Sequence, residues 1–237
     1  MALLSINVNK FALLRNARGT NYPDLVETSD LCIKYGAQGI TVHPRPDERH
    51  VKFADLSLLS QLIKNQDQKI EFNIEGYPSD KFCKIVKEIK PDQVTLVPDP
   101  PGALTSSFGW DCLKYKTLLI DVVKNFQQNN IRVSLFINPS IETLENLSSI
   151  NPDRVELYTF DYANKYNTSP QNSILPYLEV VKFLKTITDI GVNAGHDLNL
   201  NNLEYLLKNI PVIQEVSIGH ALVCDSFEYG LQKTIEK

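Results

Sequence analysis

The chain has 237 residues, 43% of them apolar and 22% charged, with a formal net charge of −4, the composition of an ordinary globular protein that buries a sizeable core. That negative balance argues against broad nucleic-acid binding, which needs a basic face. No apolar run is long enough to cross a bilayer and no basic segment precedes the short apolar stretch near Met1, so a cytoplasmic protein with no membrane partner is expected.

In chain order, residues 3–8 alternate apolar with small polar positions and read as a first strand. Residues 10–20 read as a long loop or loop-helix carrying two arginines. A helix starts at Pro23 and Asp24 and ends at Gly36. Strand two is 39–43, where an apolar run stops at His43. The short loop after it is crowded with ionisable groups and stiffened by Pro44 and Pro46. A helix over 54–64 follows, then a third strand over 70–74 that leads into Glu75 and Gly76. The helix after Ser79 sets Phe82, Ile85, Val86 and Ile89 at amphipathic spacing.

Strand four is 93–97. Residues 98–109, rich in proline and glycine, make a long loop of the kind that serves as a lid. A helix over 111–128, strand five over 132–137, a short helix after Ser140 and strand six over 154–158 come next, with Glu156 inside the last of these. Residues 161–172 are polar and read as a connection to a helix running through Val180 to Ile187. Strand seven is 189–193, leading to Ala194-Gly-His-Asp197. A helix with Leu203, Leu206 and Leu207 precedes strand eight, which starts at Val212 or Glu215 and ends before Gly219 and His220. A last helix closes the chain.

This makes eight strand–helix units in a single domain over 1–237, the pattern of a (β/α)8 TIM barrel. A doubly wound open sheet is the alternative. It fits less well, because eight units are many for one open sheet and no G-x-G-x-x-G follows strand one. The four cysteines, Cys32, Cys83, Cys112 and Cys224, form no C-x-x-C pair and read as reduced thiols.

In a parallel barrel the carboxyl ends of all strands share one mouth. Those ends carry Asn7, His43, Glu75, Glu156, Asn193, His196, Gly219 and His220, with Arg45 and His50 in the loop after strand two and Thr105 in the lid. All four histidines of the chain fall at strand ends or just after them, none in a helix, so the cluster reads as an acid–base site. Each has a plainer reading: His43 as a hydrogen-bonded rim residue, His220 as a helix cap, Glu75 as a partner of Arg45. A carboxylate such as Glu156 on a barrel wall is costly unless paired or employed. The glycine turns after strands seven and eight suit a phosphate held on backbone N–H groups, with Arg18 and Arg45 as charged contacts. A metal site is the competing chemistry, but no H-x-H or H-E-x-x-H motif is present. A catalytically silent phosphosugar-binding barrel is a further reading.

With these residues in place, the chain resembles the pyridoxine 5′-phosphate synthase family nearly end to end. The segments that carry the resemblance are Leu14-Arg-Asn-Ala-Arg-Gly-Thr20, Gly39-Ile-Thr-Val-His-Pro-Arg45 with Asp47, Arg49 and His50, Leu96-Val-Pro98, Val133-Ser-Leu-Phe-Ile137, Val192-Asn-Ala-Gly-His196 and Ile218-Gly-His-Ala221. The resemblance implies a (β/α)8 barrel with extra helices, a homo-octamer, and no cofactor or metal. It implies condensation of 1-deoxy-D-xylulose 5-phosphate with 3-amino-2-oxopropyl phosphate to give pyridoxine 5′-phosphate, phosphate and water. By the same resemblance, His43 and Glu75 are proton acceptors, His196 is the proton donor and Glu156 stabilises the transition state. Arg45, His50 and Thr105 match contacts to the deoxyxylulose phosphate. Asn7, Arg18, Asp197, Gly219 and His220 match contacts to the amino-oxopropyl phosphate. The chain departs from the family where many members end the first strand Asn-x-Asp-His. Here the segment is Asn7-Val-Asn9-Lys10, and no role passes to Asn9 or Lys10. Asp197 stands where many members have glycine.

Overall fold

The computed structural model describes residues 2–99, 102–103, 105–187 and 189–237. Its centre is a closed parallel barrel in which each strand pairs with the next and the eighth returns to the first. The strands are β1 Leu3–Asn7, β2 Gly39–Val42, β3 Glu71–Gly76, β4 Gln93–Leu96, β5 Arg132–Ile137, β6 Arg154–Tyr158, β7 Gly191–Gly195 and β8 Ile213–Ile218. Helices fill the connections: α1 Asn9–Arg18, α2 Leu25–Lys34, α3 Phe53–Lys64, α4 Asp80–Ile89, α5 Lys116–Gln127, α6 Leu147–Ile150, α7 Phe160–Tyr166, α8 Pro170–Ile187, α9 Leu203–Asn209, α10 His220–Tyr229 and α11 Leu231–Glu236. The open-sheet alternative is thereby excluded. Among the described residues no helix is long and apolar enough to cross a membrane.

Strand alternation divides the side chains between two environments. Ile40, Val42, Ile74, Val94, Leu96, Val133, Leu135, Val155 and Leu157 are buried and belong to the apolar core. The alternate positions are polar. Ser5 and Thr41 share a hydrogen bond of 2.7 Å, Asn73 Nδ2 donates to Thr41 at 3.3 Å, and Thr95 donates to Asn73 Oδ1 at 3.1 Å. Barrels of this class usually fill the interior with Val, Ile and Leu; here hydroxyls and amides satisfy one another instead. Toward the amino ends, Arg132 binds Glu71 and donates to Gln93 at 2.9 Å, while Arg154 reaches Asn193 at 3.2 Å and Glu215 at 3.4 Å. Burial, with Glu71 beside it, pushes the Glu215 carboxyl up to about 8.

The connections settle one open expectation, at residues 9–18, and differ from expectation in three other places. Residues 9–18 form a full helix, pinned because the buried Arg15 guanidinium grips both oxygens of Asp55 on α3 at 2.8 and 2.9 Å. Much of the polar 161–172 stretch is helical. Tyr162 is fully buried there, its hydroxyl donates to the Asn202 carbonyl at 2.6 Å, and its N–H donates to the Tyr177 hydroxyl at 3.2 Å, so tertiary anchoring overrides the poor local propensity. The helix expected from residue 111 starts at Lys116, because Trp110 is inserted in the core with its Nε1–H on the Leu96 carbonyl at 2.9 Å. The last helix is two, separated at Gly230, whose φ of 77° ends α10. Of the loop 98–109, residues 100, 101 and 104 lie outside the described residues.

Candidate active site

The carboxyl ends of the strands open into a cavity of about 1120 Å³. His43, Glu75, Glu156, His196, Asn7, Arg45, His50, Thr105, Asp197, Gly219 and His220 all line it. Arg18 does not: it ends α1 as an exposed residue, outside this cavity.

His43 follows β2 directly, and its Nδ1 lies 3.6 Å from Glu75 Oε2 on the neighbouring β3. The pair is held through the first strand. Asn7 Nδ2 donates to the same Glu75 oxygen at 3.3 Å, the Asn9 N–H donates to Asn7 Oδ1 at 3.1 Å, and the His43 N–H donates to Asn9 Oδ1 at 2.9 Å. Asn9 is therefore a structural tie between β1 and β2, a use for which an uncharged amide suffices. Burial moves the two members in opposite directions, because in each case it disfavours the charged form. It brings His43 down to about 3, with Arg45 adding to the shift. It lifts Glu75 to about 7, opposed by His196 and Arg45. At neutral pH His43 is an uncharged base, and Glu75 titrates close to that pH.

Glu156, on β6, is 3% exposed. Burial and then the neighbouring Glu75 and Glu215 hold its carboxyl well above the usual range, which favours the protonated form, the one able to donate a hydrogen bond. Gly195 makes room for it: a Cβ there would stand 2.2 Å from Glu156 Oε1. Gly219 serves a similar end, since a Cβ would come within 2.8 Å of the Asn7 carbonyl oxygen.

His196 and Asp197 follow β7 with φ of 85° and 58°, two successive non-glycine residues in the left-handed region, the kind of strain that persists only where the surroundings enforce it. Here the buried Thr159 hydroxyl meets the carbonyl oxygens of Gly195 and His196 at 2.7 and 2.6 Å, and Asn202 Nδ2 donates to the Asp197 carbonyl at 3.2 Å. The Asp197 carboxylate turns to His196, with Oδ2 at 3.8 Å from Nδ1, and that interaction holds its carboxyl below the usual range. His220 contradicts the expectation that no histidine lies in a helix: it is the first residue of α10. Backbone N–H groups in that turn lack intrahelical acceptors and suit an anion.

In the loop after β2, the His50 Nδ1 accepts the Val51 N–H at 3.0 Å, which leaves Nε2 to carry the proton of the neutral ring. Burial first, then His43 and Arg45, lowers His50 to about 3. Asp47 pairs with Arg49 at 3.0 Å and Glu48 Oε1 accepts the Phe53 N–H at 2.7 Å, so these residues shape the loop. Arg49 also reaches the Ala103 carbonyl in the loop after β4. The suggested Arg45–Glu75 pair does not form; Arg45 binds Asp99 instead, at 2.9 Å.

Sequence reasoning passed over Asp99, although it lies just past the end of β4 and the strand-end rule applies to it. It also passed over Tyr158 and Phe160, which line the cavity beside His196. Among the described residues no group of three or more His, Cys, Asp and Glu is arranged to hold a metal ion.

Fold and mouth together set the class as a (β/α)8-barrel enzyme with histidines and carboxylates gathered at the carboxyl ends of its strands. The comparisons with known proteins narrow this class. The chain belongs to the family of the pyridoxal phosphate biosynthesis protein PdxJ, whose model matches residues 4–237. It is 48% identical over 236 residues to the pyridoxine 5′-phosphate synthase of Cytophaga hutchinsonii, covering 100% of this chain and 97% of that one. Over 235 residues it is 48% identical to the pyridoxine 5′-phosphate synthase of Parabacteroides distasonis, covering 99% and 96%. Its activity is accordingly that of a pyridoxine 5′-phosphate synthase in vitamin B6 biosynthesis. Two solved structures share the fold at low identity. A phosphoribosyl anthranilate isomerase bound to reduced 1-(o-carboxyphenylamino)-1-deoxyribulose 5-phosphate has a TM-score of 0.61 at 13% identity, covering 100% of this chain and 99% of that one. Tryptophan synthase from M. tuberculosis in its aminoacrylate-bound form has a TM-score of 0.63 at 15% identity, covering 99% and 90%.

Proposed function

We propose that the chain, acting as one catalytic domain over 1–237, condenses 1-deoxy-D-xylulose 5-phosphate with 3-amino-2-oxopropyl phosphate to pyridoxine 5′-phosphate, phosphate and water, without cofactor or metal. The observation that carries this reading is the His43–Glu75 pair, a neutral imidazole beside a carboxyl near 7, in one cavity with His196. Schiff-base formation, dehydration and phosphate elimination each move a proton at a different atom, which calls for several acid–base groups of unlike pKa. His43 and Glu75 accept protons as the carbon skeleton closes, and His196 returns one to a leaving oxygen. Glu156, whose protonated form burial favours, donates a hydrogen bond to oxygen that gains charge in the transition state.

Arg45, His50 and Thr105 hold the deoxyxylulose phosphate. Asn7, the backbone at Asp197, and Gly219 with His220 at the start of α10 hold the amino-oxopropyl phosphate. Arg18 points to assembly: exposed on its own subunit and outside its own cavity, it reaches substrate across a subunit contact, in keeping with a homo-octamer. The described residues of the loop after β4, tied to Arg45 and Arg49 through Asp99 and Ala103, serve as a lid on the substrates. The enzyme works in the cytoplasm, with no nucleic-acid or membrane partner.

Incubating the protein with both phosphorylated substrates tests the reaction. Pyridoxine 5′-phosphate and inorganic phosphate should appear together, with formation abolished or nearly so in His43→Ala and Glu75→Gln. No product between pH 6 and 9 would overturn the assignment.

A further inference from the structure

We propose that Tyr158 and Phe160 form an aromatic platform on which the pyridine ring stacks as it is formed beside His196. The inference rests on the synthase reaction and concerns residues that the acid–base reading leaves without a task.

Phe160 is the first residue of α7, yet its ring is not packed away: the residue is 44% exposed and lines the cavity. A single exposed phenylalanine needs no explanation, but this one continues a surface. Its ring lies at 11° to that of Tyr158 with centroids 6.0 Å apart, an offset pair whose faces are nearly parallel. Tyr158 is braced from behind by Phe136, at 5.2 Å and 53°, and meets the His196 imidazole edge-on at 5.0 Å and 86°. The Phe160 ring is thus stacked on that of Tyr158, and this exposed ring, backed by Tyr158, is the apolar surface that the cavity offers near the proposed proton donor.

This surface and that donor are also fixed to one another. Thr159, between the two aromatic residues, donates to the carbonyl oxygens of Gly195 and His196, and the Tyr158 carbonyl accepts the Tyr177 hydroxyl at 2.8 Å. A flat species resting on the platform is therefore held at a set position relative to the imidazole, the rigid support that a reacting group requires.

The chemistry selects the occupant. The acyclic phosphorylated reactants present hydroxyl, carbonyl and amino groups and have no aromatic face. Ring closure creates one. A surface that gains affinity only when the ligand becomes planar and aromatic favours the late intermediate and the product over the reactants, which is differential binding along the reaction. Offset stacking corresponds to a roughly three- to tenfold change in affinity.

The test compares wild type with Phe160→Ala, Phe160→Leu and Tyr158→Phe. Phe160→Leu keeps apolar bulk at the helix start and removes the π face, so it reports even if the alanine variant folds poorly. Pyridoxine 5′-phosphate binding is followed by the fluorescence of its ring and by product inhibition. Both Phe160 variants should bind the product roughly three- to tenfold more weakly, with the KM of each substrate held within about twofold, and Tyr158→Phe should match wild type because its ring is retained. Unchanged product affinity in both Phe160 variants would overturn the platform, and so would a rise in substrate KM by the same factor, the mark of a general structural loss. Failure of wild type to make product would count against the synthase reading itself, whereas full turnover with unaltered product affinity would sink only this inference.

Discussion

The Arg45 guanidinium meets the Asp99 carboxylate at 2.9 Å with both side chains over nine-tenths buried, binding the loop after β2 to the loop after β4. Ser106 donates to the same carboxylate oxygen at 2.7 Å. An ion pair this deep is costly to break, because the surviving partner is left charged and desolvated, a penalty of about 3–5 kcal/mol. Asp99→Ala should therefore lower the melting temperature by roughly 10 °C in a chain of this size, and raise the KM for the deoxyxylulose phosphate by freeing Arg45 from its set orientation. Removing both charges, as Arg45→Met with Asp99→Leu, should recover much of the stability but none of the substrate affinity. A single Asp99→Ala variant as stable as wild type in thermal unfolding would show that the pair does not hold the two loops together.

The pH dependence of turnover follows from the same cavity. As a proposed proton acceptor, Glu75 must be ionised to work, and its carboxyl sits near 7. kcat/KM should fall about tenfold per pH unit below that value and level off above it. His43, brought down to about 3, is neutral throughout this range and contributes no limb to the profile. A profile of kcat/KM that is flat between pH 5.5 and 8 would remove Glu75 from the role of acceptor.

The barrel was legible because its strands announce themselves twice, by apolar outward positions such as Ile40 and Val42 and by glycine or ionisable residues at their ends. The convergence of His43, Glu75, Glu156 and His196 was legible for the same reason: barrel topology carries them to one mouth. What escaped depends on contacts between distant segments. The helix α7 is fixed by the burial of Tyr162 against Tyr177 and Asn202, which no local pattern in an Asn-rich stretch reveals. Asp99 lies in a proline-rich loop that reads as mobile until Arg45, 54 positions away by number, is seen to grip it. The opposite shifts of His43 and Glu75 required knowing how deeply each is buried.

Glycine at 195 is a requirement of the site more than of the barrel. A Cβ there would lie 2.2 Å from Glu156 Oε1, and from Ser217 Cβ at 3.5 Å, so only the carboxylate is displaced. Gly195→Ala should fold, with a stability loss of about 1–3 kcal/mol from overpacking. It should lose about a hundredfold or more in kcat, the scale set by removal of one transition-state hydrogen-bond donor. Thermal unfolding and steady-state kinetics separate the two effects. Near-wild-type kcat in a folded Gly195→Ala protein would contradict the role given to Glu156.

Glu75 also makes the site a burden on stability, with a definite sign. Its folded value, near 7, stands above the ordinary 4.5, so the native state holds a proton that the unfolded chain has released between those values. The favourable contribution is complete below pH 4.5 and is lost as the pH rises through 7. Glu75→Gln cannot ionise and keeps the hydrogen-bonding shape of the neutral acid. The variant should match wild type in stability near pH 4.5 and become the more stable of the two as the pH rises, reaching an advantage on the order of 2–3 kcal/mol above pH 7.5. His43 and His50, both depressed, act oppositely: the unfolded chain takes up their protons first, so they lower stability as the pH falls from 6.5 toward 3. They do so in both proteins and cancel in the difference to the extent that Gln leaves their burial unchanged. Denaturant unfolding of the two proteins side by side from pH 4.5 to 8.5 reads the difference directly. A constant gap across that range, or one that favours wild type at high pH, would mean that Glu75 is not a carboxyl held neutral by burial.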